Sequence, residues 1–281
     1  MLFPDNIGEH LSIDEVSLSQ GELYTFVTNK NGRSKKGTLV ASIKGTLSKD
    51  IIRVLEKLPM DLRQEVKEVT LDMARNMESS VKMCFPSADL VTDRFHVVKL
   101  AIDALQHVRI KLRWKELDKE NEAIEDAKKQ GEKYSPIVLE NGDTPKQLLA
   151  RSRYALAKKT TDWTRNQEER TKLLFERYPN LKFAYYHTLE FRNIYETKQS
   201  DLALGRFKDW INKSLNQDIK EFFSVAKSVQ YHLDNIINFF KNRNTNANAE
   251  SFNSKIKLFR ANLRGVTDVS FFLFRLANLF A

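Results

Sequence analysis

The sequence predicts an α/β fold in which a mixed sheet is interrupted, before its last functional segment, by a large all-helical insertion. Three observations carry that prediction. Residues 66–100 read as strand, helix, strand, helix, with Asp72 and Asp93 at the ends of the two strands. Residues 11–43 hold three strand-like runs separated by turn residues. Between residues 97 and 240 there is no strand signal. Open α/β sheets hold ligands and metals outside the C-terminal ends of their strands. One acid at such a place is usually a helix N-cap or a turn residue. Two in successive strand–helix units, with His96 three residues after the second, form a more specific pattern.

The chain's 281 residues suffice for one large domain or for one domain with a big insertion. A content of 41% hydrophobic and 30% charged residues fits a soluble globular protein. No apolar run is long enough to span a membrane, and MLFPDNIGEH is not a signal peptide, so the expected compartment is the cytoplasm. The single Cys84 excludes an intrachain disulfide and a cysteine-rich zinc module. A formal net charge of +9 points to nucleic acid only where the cations converge on a site.

Leu11–Val16 reads as a first strand, in which Asp14 and Glu15 face opposite sides, so only one of them can join a site on a given face. Glu22–Thr28 and Thr38–Ile43 follow as second and third strands around the Asn-, Gly- and Lys-rich turn 29–37, a three-stranded antiparallel meander. Ser48 is placed to N-cap a helix over Asp50–Leu58, with apolar residues at 51, 54, 55 and 58, and Pro59 to close it. Val66–Leu71 is a β-branched run. A helix over Ala74–Cys84 aligns Met73, Met77 and Val81 before Pro86 stops it, and Ala88–Thr92 is the next strand. The last two strands add most simply in parallel through crossovers. The order β-β-β-α-β-α-β-α is that of a ribonuclease-H-like core, here assigned to residues 9–96, with the insertion over 97–240 and residues 241–281 completing the core.

The insertion opens with a long helix from Phe95 to about Lys133, whose first part carries Lys99, Arg109, Lys111, Arg113 and Lys115. A break at 134–145 holds Pro136, Gly142 and Pro145. Helical spacing resumes over 146–178, 181–198, 201–215 and 217–241, with Trp210, Phe222, Phe223, Val225, Ala226 and Val229 as core candidates. In the aromatic stretch 181–195, Tyr185 and Tyr186 cannot both be buried on one face. On a helix through NAESFNSKIKLFRANLRG, Phe252, Ile256, Phe259 and Leu263 form an apolar stripe. Glu250, Asn253, Lys257, Arg260 and Arg264 form a polar stripe beside it, and Gly265 suits the helix end. That polar stripe reads either as a solvated face with i,i+4 charge pairs or as an acid aimed at a metal with cations trailing along a phosphate backbone.

SIDE around Asp14, TLDMARNM around Asp72, FPSADLVTDRFHVVKLAIDALQHVR and NANAESFNSKIKLFRANLRG together resemble the DDE catalytic domain of bacterial insertion-sequence transposases, most closely the ISL-three group. LLFERYPNLKFAYYHTLEFRNIY, FKDWIN and IINFFKNR carry the similarity through the helical block, so it covers residues 9–281. The resemblance implies metal-dependent DNA cleavage and strand transfer. It matches Asp14, Asp72 and Glu250 to the three carboxylates, and Asp93 and His96 to a supporting Asp-x-x-His motif, with Asp93 competing with Asp72 for the second carboxylate. It implies two Mg²⁺ or Mn²⁺ ions, DNA as partner, and a homodimer that processes two transposon ends together. Such ions promote in-line phosphodiester transfer from positions roughly 3.5–4 Å apart and favour hard carboxylate oxygens. Lys255, Lys257, Arg260 and Arg264 after Glu250, and Arg109, Lys111, Arg113 and Lys115 after His96, are the expected DNA-binding residues.

The family usually carries a zinc ribbon and a helix-turn-helix ahead of the catalytic domain. This chain starts a few residues before its first strand, so the expectation is an N-terminally truncated transposase. The alternative function is an inactive or DNA-binding remnant lacking end recognition. His10, His107, His187 and His232 lack metal-ligand spacing, Glu15 reads as a supporting or surface acid, and Cys84 as buried packing.

Overall fold

The computed structural model describes the chain apart from residues 20, 218, 244–246, 264, 266 and 267 and the side chains of Ser19 and Asn248. In chain order its elements are β1 (His10–Ser19), β2 (Glu22–Asn29), β3 (Leu39–Lys44), α1 (Ser48–Leu55), α2 (Met60–Glu65), β4 (Glu68–Leu71), α3 (Arg75–Cys84) and β5 (Asp89–Thr92). Then come α4 (Arg94–Lys129), α5 (Pro145–Arg151), α6 (Arg153–Ala157), α7 (Arg165–Arg177), α8 (Pro179–Ile194), α9 (Ser200–Leu215), α10 (Lys220–Tyr231), α11 (Leu233–Asn242), α12 (Ala247–Asn262) and α13 (Val269–Phe280). They form two units, residues 1–97 with 232–281, and residues 98–231. Among the described residues no helix is long and apolar enough to cross a membrane.

The first unit is built on a five-stranded mixed sheet of order β3-β2-β1-β4-β5. The β1–β2 and β2–β3 pairs are antiparallel, whereas β1–β4 and β4–β5 are parallel. Alternation along the strands gives each face its own core. On one face Leu11, Ile13, Val69, Leu71 and Leu90 pack with Ile51 and Leu55 of α1 and Met77, Val81 and Cys84 of α3. On the other, Val16, Leu18, Tyr24, Phe26 and Leu39 pack with Phe252 and Ile256 of α12 and Phe272 and Leu276 of α13. The apolar stripe read from the sequence is therefore the one that docks, with Phe259 and Leu263 half-buried at its margin.

Several boundaries differ from the sequence reading for identifiable reasons. Ser48 is the first residue of α1, and its hydroxyl donates to Asn76 O of α3 at 2.8 Å instead of capping its own helix. Helix α1 ends at Leu55, three residues before the expected Leu58, and Pro59 instead opens a short second helix, α2, that the sequence reading lacks. The expected continuous helix over 146–178 is three helices and a 3-10 turn. Thr164 and Gln167 cap α7 reciprocally, Gln167 N to Thr164 Oγ1 at 3.4 Å and Thr164 N to Gln167 Oε1 at 3.1 Å, a T-x-x-Q signal legible in the sequence. Helix α11, assigned by sequence to the insertion, covers the edge strand β5. Asn238 donates to Leu90 O at 2.9 Å and Lys241 pairs with Asp89 at 2.9 Å, satisfying an edge that would otherwise be open.

The helical unit has its own aromatic core. The His187 ring stacks on Trp210 with centroids 4.6 Å apart, and Trp210 Nε1 donates to His187 O at 2.9 Å. Phe191, Phe207 and Phe222 pack around that pair. Burial lowers the His187 pKa to about 4, so the ring is a neutral packing element at physiological pH. Tyr185 is buried with its hydroxyl on Lys158 O, while Tyr186 is exposed. Phe223, counted among the core candidates, is exposed with Lys227 over its ring, because its neighbour Phe222 takes the buried position.

Under the sheet's second face lies a buried ion pair. Lys30, in the turn after β2, places Nζ 2.8 Å from Glu68 Oε1 and also bonds Thr70, tying β2 to β4 across β1. Asn242 of α11 donates to the other Glu68 oxygen at 3.2 Å. Removing one partner of such a pair leaves a buried charge without its counter-ion. Lys30→Ala should cost roughly 3–5 kcal/mol in urea denaturation, and Lys30→Met combined with Glu68→Leu should recover most of it. A loss below about 1 kcal/mol would show that the pair does not hold the strands.

Candidate active site

The site forms where two parallel strands part. β1 pairs with β4 only from His10↔Glu68 to Ser12↔Thr70. Beyond Ser12, β1 runs on against β2 alone, while β4 ends at Leu71, in register with Thr92 of β5. Asp14 follows Ser12 by two residues, as Asp72 follows Thr70 and Asp93 follows Val91. The three acids thus leave the sheet level with one another at its C-terminal edge, the crevice that this class of fold uses for ligands.

Asp14 is set by the next residue in the chain and by α12. Its Oδ1 accepts from Glu15 N at 2.8 Å, and its Oδ2 accepts from Asn253 Nδ2 at 2.5 Å. The second contact follows from docking. Phe252 is fully buried with its ring edge-on to Phe26 at 5.9 Å, and Phe26 lies opposite Asp14 in the β1–β2 register. The next residue of α12 is then carried to the carboxylate. Burial holds the Asp14 carboxyl above the ordinary carboxylate value. The Glu15 amide, the His96 ring and the Asn253 amide pull it down, and the charge of Asp72 pushes it up. Glu15 is also raised, by burial first and then by the charges of Asp72 and Asp14. Glu15 faces the other side of β1, which is still paired with β2 at that point, so it feels these charges across the strand.

Asp72 is half-buried and its Oδ1 accepts from Ala74 N at 2.8 Å, so it also shapes the turn that starts α3. Asp93 is 2% exposed, with His96 Nδ1 3.6 Å from its Oδ2. It lies deeper than Asp72, turned toward His96 and the charge of Lys30. Glu250 is exposed on α12, one helical turn before Asn253 and on the same stripe of that helix. Among the described residues no three His, Cys, Asp or Glu side chains are gathered closely enough to hold a metal ion. The charges of Asp72 and His96 act on Asp14, and Glu250 stands one helical turn before Asn253, which bonds Asp14.

The expected DNA-binding cations divide. Lys257 is exposed, Lys255 donates to Ser34 O at 2.5 Å, and Arg260 donates to Ser17 O at 3.2 Å. Arg264 lies outside the described residues. In the helical unit Arg113 and Lys115 are exposed and Lys111 pairs with Glu221 at 3.0 Å. Arg109 is buried, with its guanidinium on Leu149 O, so it cannot itself lie along a DNA backbone.

The sequence reading gave no role to Asn253 or His232. Asn253 was readable as the residue one turn after Glu250 on the polar stripe. His232, buried at the start of α11 with Nδ1 3.5 Å from Glu78 Oε2 of α3, has no local sequence signal, since its partner is distant in the chain.

A family model described as transposase, the DDE model of the ISL3 group, matches residues 11–276. The transposase for insertion sequence element IS1001 of Bordetella parapertussis is 22% identical over 275 residues, which are 97% of this chain and 61% of that protein. The chain thus spans less than two thirds of that relative's length.

The raised Asp14 carboxyl makes a stability prediction. A group whose folded-state pKa lies above its unfolded value contributes most when protonated, and that contribution is lost as pH rises through the folded-state value. Asp14→Asn should therefore raise Tm near pH 7.5 in chelator by roughly 1–4 °C and give no gain near pH 4. Scanning calorimetry at the two pH values checks this, and a lower Tm for the variant at pH 7.5 would contradict the burial cost.

Proposed function

The chain belongs to the ISL3 family of transposases, and on that footing we propose that it is the catalytic domain that cleaves DNA and transfers the freed strand for an insertion sequence. The proposed architecture is ribonuclease-H-like, supported by three antiparallel strands followed by two parallel ones in the order β3-β2-β1-β4-β5, with the helical unit entering after β5. The observation that carries the reading is the Asn253–Asp14 hydrogen bond, which joins the helix of Glu250 to Asp14 of β1 across 239 residues of sequence.

The donor set fits divalent cations. Asp14, Asp72 and Glu250 are hard oxygen donors, and the first two stand close enough for the charge of Asp72 to raise the Asp14 carboxyl, a repulsion that a cation relieves. We assign these three residues as the ligands of two Mg²⁺ or Mn²⁺ ions, which when bound activate the attacking hydroxyl and stabilise the leaving oxygen of an in-line displacement. Asn253 fixes the orientation of Asp14 and leaves its carboxylate ionised at lower cost. His96 stands beside Asp93, with Nδ1 3.6 Å from its Oδ2, and within electrostatic reach of Asp14. Asp93 serves as the buried partner that orients His96, and its burial favours Asp72 as the second ligand. Lys257, exposed one turn beyond Asn253, faces the strand that enters. The substrates are transposon ends and target DNA, and two copies of the chain act together because two ends must be joined.

Nicking of a supercoiled plasmid with Mg²⁺ or Mn²⁺ tests the assignment. Asp14→Asn, Asp72→Asn and Glu250→Gln should each lower the rate on the order of 10³-fold or more while retaining the circular dichroism of the parent. Asp93→Asn should retain more activity than Asp72→Asn. The reverse order of these two would move the second ligand to Asp93, and full activity of Glu250→Gln would remove α12 from the site.

A further inference from the structure

The helical unit contains a concentration of positive charge that its own acids do not balance. Arg109 of α4 is 6% exposed, yet its guanidinium meets only neutral oxygens, Leu149 O at 3.0 Å and Gln106 Oε1 at 2.7 Å. A buried charge is normally matched by an opposite one. The neighbouring charges here are instead two more arginines. Arg113 lies one turn on along the same face of α4. Arg153, at the start of α6, is brought in by Gln106, whose Nε2 reaches Arg153 O at 3.5 Å. Burial lowers the Arg109 pKa, and the charges of Arg153 and Arg113 lower it further. Among the described residues none of the three forms an ion pair, and both Arg113 and Arg153 are exposed. The Arg153 guanidinium lies 5.7 Å from the ring centroid of Tyr154, itself 71% exposed, and not against an acid.

We propose that Arg109, Arg113 and Arg153 form a phosphate site for the DNA backbone on the helical unit, with Arg109 as the fixed charge behind the two that make contact. The planar guanidinium fork matches phosphate oxygens in pairs, and three such groups on neighbouring turns of α4 and α6, none paired to a carboxylate, form an anion site. The site differs from a basic stripe along α4. Lys111 is engaged by Glu221, Arg109 is buried, and the third member comes from another helix that the long-helix pattern does not reveal. The inference rests on the DNA-cleaving reading above and assigns the helical unit a part in holding the same substrate.

The test uses the full chain and a random-sequence duplex, with affinity measured across several salt concentrations. Arg113→Ala combined with Arg153→Ala should weaken binding about tenfold or more near 0.1 M salt, equally for unrelated sequences. It should flatten the dependence of log affinity on log salt by about 1.8, two contacts' worth. The charge-keeping pair Arg113→Lys and Arg153→Lys should retain the slope, which separates loss of charge from loss of fold. A double alanine variant with parental affinity and slope overturns the phosphate site, while metal-dependent nicking by the parent leaves the catalytic reading standing. If that variant keeps DNA affinity but loses binding to an acidic peptide, the site serves a protein partner and the proposal fails. A parent chain that neither binds nor nicks DNA overturns both.

Discussion

The arrangement of the candidate site depends on the docking of α12 against β1 and β2. Phe252 and Ile256 are fully buried against Val16, Tyr24 and Phe26. Burying side chains of this size stabilises by about 1.5–3 kcal/mol each, which offsets the entropy of closing a loop that contains the whole helical unit. Because loop-closure entropy grows only logarithmically with length, a long insertion between β5 and α12 is tolerable. Once Phe252 is seated, helical geometry does the rest. Asn253 meets Asp14, and Glu250 stands one turn earlier on the same stripe. The contact between Asn253 and Asp14 is thus a consequence of apolar packing one residue away.

Two ways of burying charge coexist on this face of the sheet. Lys30 and Glu68 neutralise one another, with Thr70 and Asn242 satisfying further bonds, and the pair joins non-neighbouring strands. Asp14 is the opposite case. Its burial opposes ionisation, and Asp72 adds like charge beside it. Amide donors from Glu15 and Asn253 offset part of that cost. Acids held in this state cost stability, as is usual at functional positions.

The helical unit shows the same contrast. The His187–Trp210 stack, with its aromatic neighbours and the hydrogen bond from Trp210 to a backbone carbonyl, is fully satisfied and explains how residues 98–231 hold together as a unit. Asp143 is likewise buried and engaged by both Arg151 and Arg170. Arg109 differs because no carboxylate answers it. A well-balanced core beside one unbalanced arginine cluster locates the face on which this unit meets an anion.

The sequence alone determined the elements whose signals are local. Alternation gave the strands, the 3.6-residue stripe of Phe252, Ile256, Phe259 and Leu263 gave α12 and its buried face, and the strand-end positions of Asp72 and Asp93 marked the C-terminal edge of the parallel strands. The family, too, was legible, because DRFH and NAES-x-N stand in order along one chain. The tertiary structure decided what depends on partners distant in sequence. It set Asn253 on Asp14, turned Ser48 from an expected cap to a bond with Asn76, moved α11 from the insertion to the edge of β5, and buried Arg109 while leaving Arg113 exposed. Periodicity specifies which side of an element is buried, but not which other element buries it, and hydrogen bonds and charge pairs between residues far apart in the chain appear only when those elements pack.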